Sequence, residues 1–153
     1  MSIDQRLAEL GITLPQPAAP VAAYVPAVEQ GGLLHISGQI SFAEDGSLIT
    51  GRVGDDVDLD GGVAAARRCG IMLLAQIKAA VGSLDRVERI VKLGVFVNST
   101  ADFTGQPKVA NGASELMQDV FGEAGRHARS AVGVAALPLG VAVEVDAIVA
   151  VKS

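Results

Sequence analysis

One cysteine, no tryptophan, one tyrosine and four phenylalanines in 153 residues already exclude several kinds of protein. Cys69 alone closes no intramolecular disulfide and supplies no cysteine-based zinc framework, which fits a reducing compartment. Its place inside an Ala-rich helical pattern reads as a buried core thiol. Aromatics make up 3% of the chain while half of it is hydrophobic, so the core must be assembled from Val, Leu, Ile and Ala. Small aliphatics suit sheets packed closely on helices, and they leave apolar area over for subunit contacts. No apolar run reaches the ~20 residues that cross a bilayer. No charged-then-apolar leader opens the chain either, so the expected location is the cytoplasm, with no membrane partner.

Positive charge is also scarce. The formal net charge is −5, and the basic residues gather only at Arg67-Arg68, Arg86 to Lys92 and Arg126 to Arg129. A nucleic-acid binder normally presents a basic face that displaces phosphate counterions, so no nucleic-acid partner is expected. His35 and His127 have no acidic or cysteine partner at ligand spacing, and no His-Glu-x-x-His occurs, which predicts no metal site. Gly31-Gly32 and Gly61-Gly62 lack both the Gly-Lys-Ser/Thr pattern and the Rossmann spacing. No serine sits in a Gly-x-Ser-x-Gly elbow. No cofactor is expected.

The length suits one ordinary domain that buries about 70% of its unfolded surface. Ser2 to Leu10 has helical spacing, with Ser2 placed to cap it and Gly11 to stop it. The stiff segment Pro15 to Pro20 follows, making residues 1–20 a helix and arm that dock on a main domain, 21–153. Val21 to Val28 reads as a strand, turned at Gln30-Gly-Gly32 into a hairpin with Leu33 to Phe42. Alternation along that second strand puts Leu34, Ile36, Gly38 and Ile40 on one face, and His35, Ser37 and Gln39 on the other. Leu48 to Asp60 is Gly-rich enough for a loop or short edge strand. Gly62 to Val81 carries Val63, Arg67, Gly70, Leu74, Ile77 and Val81 at helical spacing. Val87 to Asn98 reads as a covered central strand. A helix from near Pro107 to Phe121 follows, with Val109, Ala113, Leu116 and Val120 on its apolar side. Hairpin and crossover connections together predict an α+β fold.

The chemistry concentrates in residues 127–147. They read as two strands joined at Leu137-Pro-Leu-Gly140, with Arg129 near the start of one and Glu144 among Val141, Val143, Val145 and Ala147 in the other. An ionised side chain buried without a partner costs several kcal/mol, so Glu144 faces solvent, pairs with a cation or lines a cleft. Arg129 is the nearest cation in sequence, and the two are expected to meet across an antiparallel pair. Arg129 offers paired donors in a plane that match a carboxylate; the plainer alternative is a salt bridge to Glu144 or Asp146.

The Arg129-Ser pair, the Leu137-Pro turn and the run Val143-Glu-Val-Asp-Ala-Ile148 resemble the C-terminal signature of the RidA/YjgF family of reactive enamine/imine deaminases, also called endoribonuclease L-PSP proteins. Tyr24-Val-Pro-Ala27 and Ile36-Ser-Gly-Gln-Ile40 resemble its N-terminal strands, and the similarity covers roughly residues 20 to 151. The resemblance implies a chorismate-mutase-like mixed sheet with two helices on one face, assembled as a homotrimer whose ligand clefts lie between subunits. It implies cofactor-free hydrolysis of small imino acids of the 2-aminoacrylate/2-iminopropionate type to 2-keto acids and ammonia. Arg129 would bind the substrate carboxylate and Glu144 would position the attacking water. Tyr24, Ser37, Gly38 and Ala131 would border the substrate, and His127, two residues before Arg129 and so on its face of the strand, is a further candidate for contact with it. A non-catalytic keto-acid-binding trimer and an endoribonuclease are the alternatives. The sequence departs from the family at Arg129-Ser-Ala131, where Arg-Ser-Cys is common, at His127 in place of a proline, and in a longer stretch from Thr100 to Asn111.

Overall fold

A computed structural model of the chain describes residues 1–17, 19 and 22–153. The end of the Pro-rich arm at Ala18 and Pro20 and the expected strand start at Val21 lie outside the described residues. Helix α1, Ile3–Glu9, begins at a capping box. Ser2 Oγ accepts from the Gln5 N–H, and the Gln5 side chain accepts from the Ser2 N–H. It stays on the body through Leu7, which is buried in the core, and through the Ile3 N–H, which donates to Asp85.

Strands β1, Ala27–Gln30, and β2, Leu33–Ile40, form a two-residue hairpin at Gly31-Gly32. Both glycines have positive φ, as a tight twisted hairpin turn requires. The strand expected from Val21 begins only at Ala27. Pro26 has no N–H for a ladder, although its carbonyl accepts from the Ser37 N–H at 2.9 Å.

Helix α2, Leu59–Val81, starts a turn earlier than its apolar spacing suggests, because Asp58 caps the Gly61 N–H at 2.7 Å. It leads to β3, Val87–Asn98, with the bounds read from the sequence. Helix α3, Gln106–Phe121, carries Pro107 in its first turn, where a missing N–H costs nothing. Strands β4, Ala128–Val134, and β5, Val143–Val151, complete a five-stranded sheet of order β1-β2-β5-β3-β4. Of these five strands, β3 and β4 alone pair in parallel, across the α3 crossover.

The expected antiparallel pairing of β4 with β5 is therefore corrected: β3 lies between them. β3 is twelve residues long and largely apolar, so the central position satisfies its backbone on both edges, while the small and more exposed β4 takes the rim. The Pro138–Gly140 turn, with Leu139 at φ +58°, redirects the chain instead of closing a hairpin.

Leu93, Val95 and Val97 of β3 and Val143, Val145 and Val149 of β5 face α2 and α3 in one aliphatic core that also holds Cys69. Burial pushes the Cys69 thiol far up, as for an inert core group. The other face of the sheet is left by both helices. A bulge in β2 decides which residues reach it: Ile36 pairs with Ala147 but Gln39 with Val145. The extra residue reverses the alternation, so Gln39 turns inward to Gln76 at 3.3 Å. Gly38 and Ile40 thus share the outer face, not that of Leu34 and Ile36 as strict alternation predicts.

Candidate active site

On the helix side of rim strand β4, Arg129, Ala131 and Gly133 stand opposite Leu93, Val95 and Val97 in register and so point the same way. Arg129 Nη1 donates to Asn111 Oδ1 at 2.8 Å and to Ser114 Oγ at 3.1 Å. Asn111 and Ser114 are three residues apart on α3, hence neighbours on one face of that helix. His127 completes the group, with Nε2 at 2.8 Å from Ser114 Oγ and Nδ1 at 2.7 Å from the Gly125 carbonyl. Half-burial and the Arg129 charge hold His127 below its usual 6.5. Further along the rim, a cavity of about 500 Å³ is lined by Arg52, Ser99, Phe103, Gln106 and Gly133.

The outer face carries the carboxylates. Glu144 is opposite Ile40 of β2 and Phe96 of β3, and its side chain lies over Gly38. A Cβ at position 38 would stand 2.7 Å from Glu144 Oε2, so glycine is what lets the carboxylate rest there. Burial first, and then the negative charge of Asp146, raise Glu144 above its usual 4.5. Asp146, opposite Gly94, is raised by burial, against the opposing pull of the Gly94 backbone and Lys92. Beside it a hollow of about 390 Å³ is bordered by His35, Lys92, Phe96, Ser130 and Ile148. Among the described residues, neither carboxylate forms an ion pair.

Arg129 and Glu144 are thus not brought together in one chain. They project from opposite faces of the sheet with β3 between them, which removes the expected cross-strand pairing and any salt bridge between them within one chain. Gly38 does meet Glu144, while Ala131 and His127 lie on the Arg129 side. Ser37 donates through its hydroxyl to the Val25 carbonyl at 3.1 Å, tying down the segment that carries the exposed Tyr24. Asn111 and Ser114 are the partners that sequence reading missed. Their polar spacing on the predicted helix was the available signal.

Among the described residues, no three His, Cys, Asp or Glu side chains gather at metal-holding distance, and no helix is long and apolar enough to cross a membrane.

A mixed sheet covered by helices on one face, with carboxylates standing on the other, defines an α+β fold of the chorismate-mutase-like kind. Residues 4–149 match the family described as "YjgF/chorismate_mutase-like, putative endoribonuclease", and the chain belongs to that family. It is 53% identical over 148 residues to Protein TCP17 of Trypanosoma cruzi, covering 96% of this chain and 92% of that one. It is 28% identical over 143 residues to a 2-iminobutanoate/2-iminopropanoate deaminase of Dermatophagoides farinae, covering 92% and 95%. The crystal structure of protein Atu1372 from Agrobacterium tumefaciens, of unknown function, superposes with a TM-score of 0.90 at 47% identity, covering 99% and 94%.

Proposed function

We propose that this protein hydrolyses small 2-imino acids to 2-oxo acids and ammonia, at a site built from the Arg129 side of one copy and the Glu144 side of another within a homotrimer. The observation that carries the reading is a half-buried Glu144 that forms no ion pair among the described residues, raised above the usual carboxylate range. Such a group is a stronger base than an ordinary surface carboxylate and is suited to orienting and deprotonating a water. Arg129 complements it. Asn111 and Ser114 engage only Nη1, leaving Nε and Nη2 as the paired donors that a substrate carboxylate fits. The deaminase name of the Dermatophagoides relative supports the same class of substrate.

In this scheme the water oxygen bonds to the imine carbon, its proton passes to Glu144, and the C=N electron pair moves to nitrogen. Glu144 returns that proton to the nitrogen, then takes the proton of the new hydroxyl and passes it to the same nitrogen, so that the C–N bond breaks with ammonia as the leaving group. Ammonia departs as the hydroxyl becomes the keto oxygen, with no redox change. An endoribonuclease reading rests on the family description and on the names of related structures. A net charge of −5 and the outward Glu144 and Asp146 disfavour a phosphate backbone.

The test is the disappearance of 2-iminopropionate generated in situ by a serine dehydratase. Wild-type protein accelerates it, and Arg129→Ala lowers the rate by roughly 10²-fold through loss of orientation. The rate holds above the raised ionisation of Glu144 and is lost as pH falls through it, at a midpoint above 4.5. No acceleration by wild type, together with saturable binding of a 2-oxo acid, would replace the enzyme with a binding protein.

Gly38→Ala separates the carboxylate's seat from the fold. The added methyl meets the movable end of Glu144, so stability should change by only about 1 kcal/mol. The displaced carboxylate should cost at least ~10-fold in kcat. Unchanged kcat in a folded Gly38→Ala protein would remove Glu144 from the mechanism.

A further inference from the structure

With His127 neutral, the polar atoms behind Arg129 form a chain in which each donor and acceptor is set. The Gly125 carbonyl only accepts, so His127 Nδ1, 2.7 Å away, carries the ring hydrogen. The neutral ring then leaves Nε2 bare, and the Ser114 hydroxyl, 2.8 Å away, must donate to it. Ser114 Oγ is consequently turned to receive the N–H of Arg129 Nη1 at 3.1 Å, while the other Nη1 hydrogen goes to Asn111 Oδ1 at 2.8 Å. Nη1 is thereby saturated and the guanidinium plane is set.

The frame behind this chain is stiff. The turn Gly122–Gly125 lies so close on α3 that a Cβ on Gly125 would overlap the Met117 carbonyl and come within 2.9 Å of the Gln118 nitrogen. The same helix supplies Asn111 and Ser114, so both ends of the chain are fixed to one element.

We propose that His127, acting through Ser114, is a positioning residue for Arg129, so that the grip of Arg129 on a substrate carboxylate depends on His127 remaining neutral. The inference rests on the carboxylate-binding reading of Arg129 and assigns His127 a role other than contact with substrate. Protonation gives Nε2 a hydrogen and makes it a donor. The Ser114 hydroxyl must then turn away, and its oxygen faces two cations that only donate. The guanidinium, on the longer of the two contacts, is the one that shifts.

The surrounding charges do not supply a counter-ion. Arg129 and Arg126 flank His127 in sequence, and Glu123 of the preceding turn is directed to Arg126 at 3.7 Å. From β3, Arg89 bonds the Arg126 carbonyl and Lys92 is opposite Ala128, and from α3 Glu115 is exposed. Among the described residues no carboxylate forms an ion pair with His127. Burial and the Arg129 charge keep it neutral at neutral pH.

Two measurements on the full-length protein test the coupling. Without ligand, imidazole ¹⁵N resonances should show His127 as the Nδ1–H tautomer, with a midpoint below 6.5 that rises in both Arg129→Met and Ser114→Ala. With pyruvate as probe, wild-type affinity should fall about five-fold more than that of His127→Gln between roughly pH 7.5 and a pH about one unit below the His127 midpoint found by NMR. Glutamine accepts from Ser114 but cannot take a charge, and Glu144 is common to both proteins. Ser114→Ala should weaken pyruvate binding at either pH. Equal pH slopes in wild type and His127→Gln, or tighter wild-type binding at the lower pH, overturn the proposal. If no protein binds pyruvate, the carboxylate reading of Arg129 fails, and a His127 midpoint indifferent to both substitutions overturns the coupling independently.

Discussion

Mixing unfolded Arg129→Ala and Glu144→Gln chains in equal amounts and refolding them together should restore roughly a quarter of the wild-type imine-hydrolysis rate, as the arithmetic of a three-fold ring requires. Each variant alone should retain about a hundredth or less, the usual loss when an acid–base group or a substrate clamp is removed. The expectation follows from the sheet. Arg129 sits on the helix side of rim strand β4, and Glu144 on the outer face of β5, with β3 between. No rotamer carries one to the other through a hydrogen-bonded sheet. In the proposed trimer a site takes Arg129 from one copy and Glu144 from the next. Every mixed ring then contains one site with both native groups, and three-quarters of randomly assembled rings are mixed. Recovery indistinguishable from zero, with mixed assembly verified by mass, would mean that the two residues do not serve a common site. Full recovery would exceed what one native site per mixed ring supplies and would overturn the shared site.

The second large effect is on stability. Gly112→Leu should destabilise the protein by about 3 kcal/mol or more, at the upper end of overpacking costs. For a domain of this size that corresponds to a midpoint of thermal unfolding lower by about 10 °C. At Gly112 helices α2 and α3 meet backbone to backbone: a Cβ there would overlap the Val63 carbonyl and approach the Arg67 nitrogen to 3.1 Å. A main-chain carbonyl inside a helix cannot move aside without breaking its own ladder. Gly70→Ala is the control, because its new methyl would meet Leu116 Cδ2 at 2.7 Å, the end of a side chain that can change rotamer. It should cost about 1 kcal/mol. Equal losses at the two positions would show that the helix separation is not limited by backbone contact. Since α3 also carries Asn111 and Ser114, a displaced helix should weaken the Arg129 site as well.

How much of this could be read beforehand differs between elements for physical reasons. Helix α2, helix α3 and strand β3 were legible because apolar periodicity and terminal residues such as Pro107 act within a few residues of the chain, although the Asp58 cap that starts α2 a turn early was not read. The hairpin at Gly31-Gly32 was legible for the same reason: positive φ at both positions is a local demand. The bulge in β2 was not. Alternation from Leu34 onward predicts Gly38 with Ile36, and only the pairing with β5 shows an extra residue that turns Gly38 toward Glu144.

The candidate site divides in the same way. Arg129 and Glu144 stand out in the sequence because each is a charge in a strand otherwise made of small aliphatic residues. Their proximity in sequence suggested a pair, and the pair does not exist within one chain. Residue types, helix spacing and turn positions come from interactions between near neighbours and are written in the order of amino acids. Which strand lies beside which depends instead on where a twelve-residue apolar strand can satisfy both of its backbone edges and cover its side chains. That is a competition among all the strands at once, and β3 wins the place between β4 and β5. The separation of arginine from carboxylate, and with it the need for a second copy to complete the proposed site, is a consequence of that packing alone.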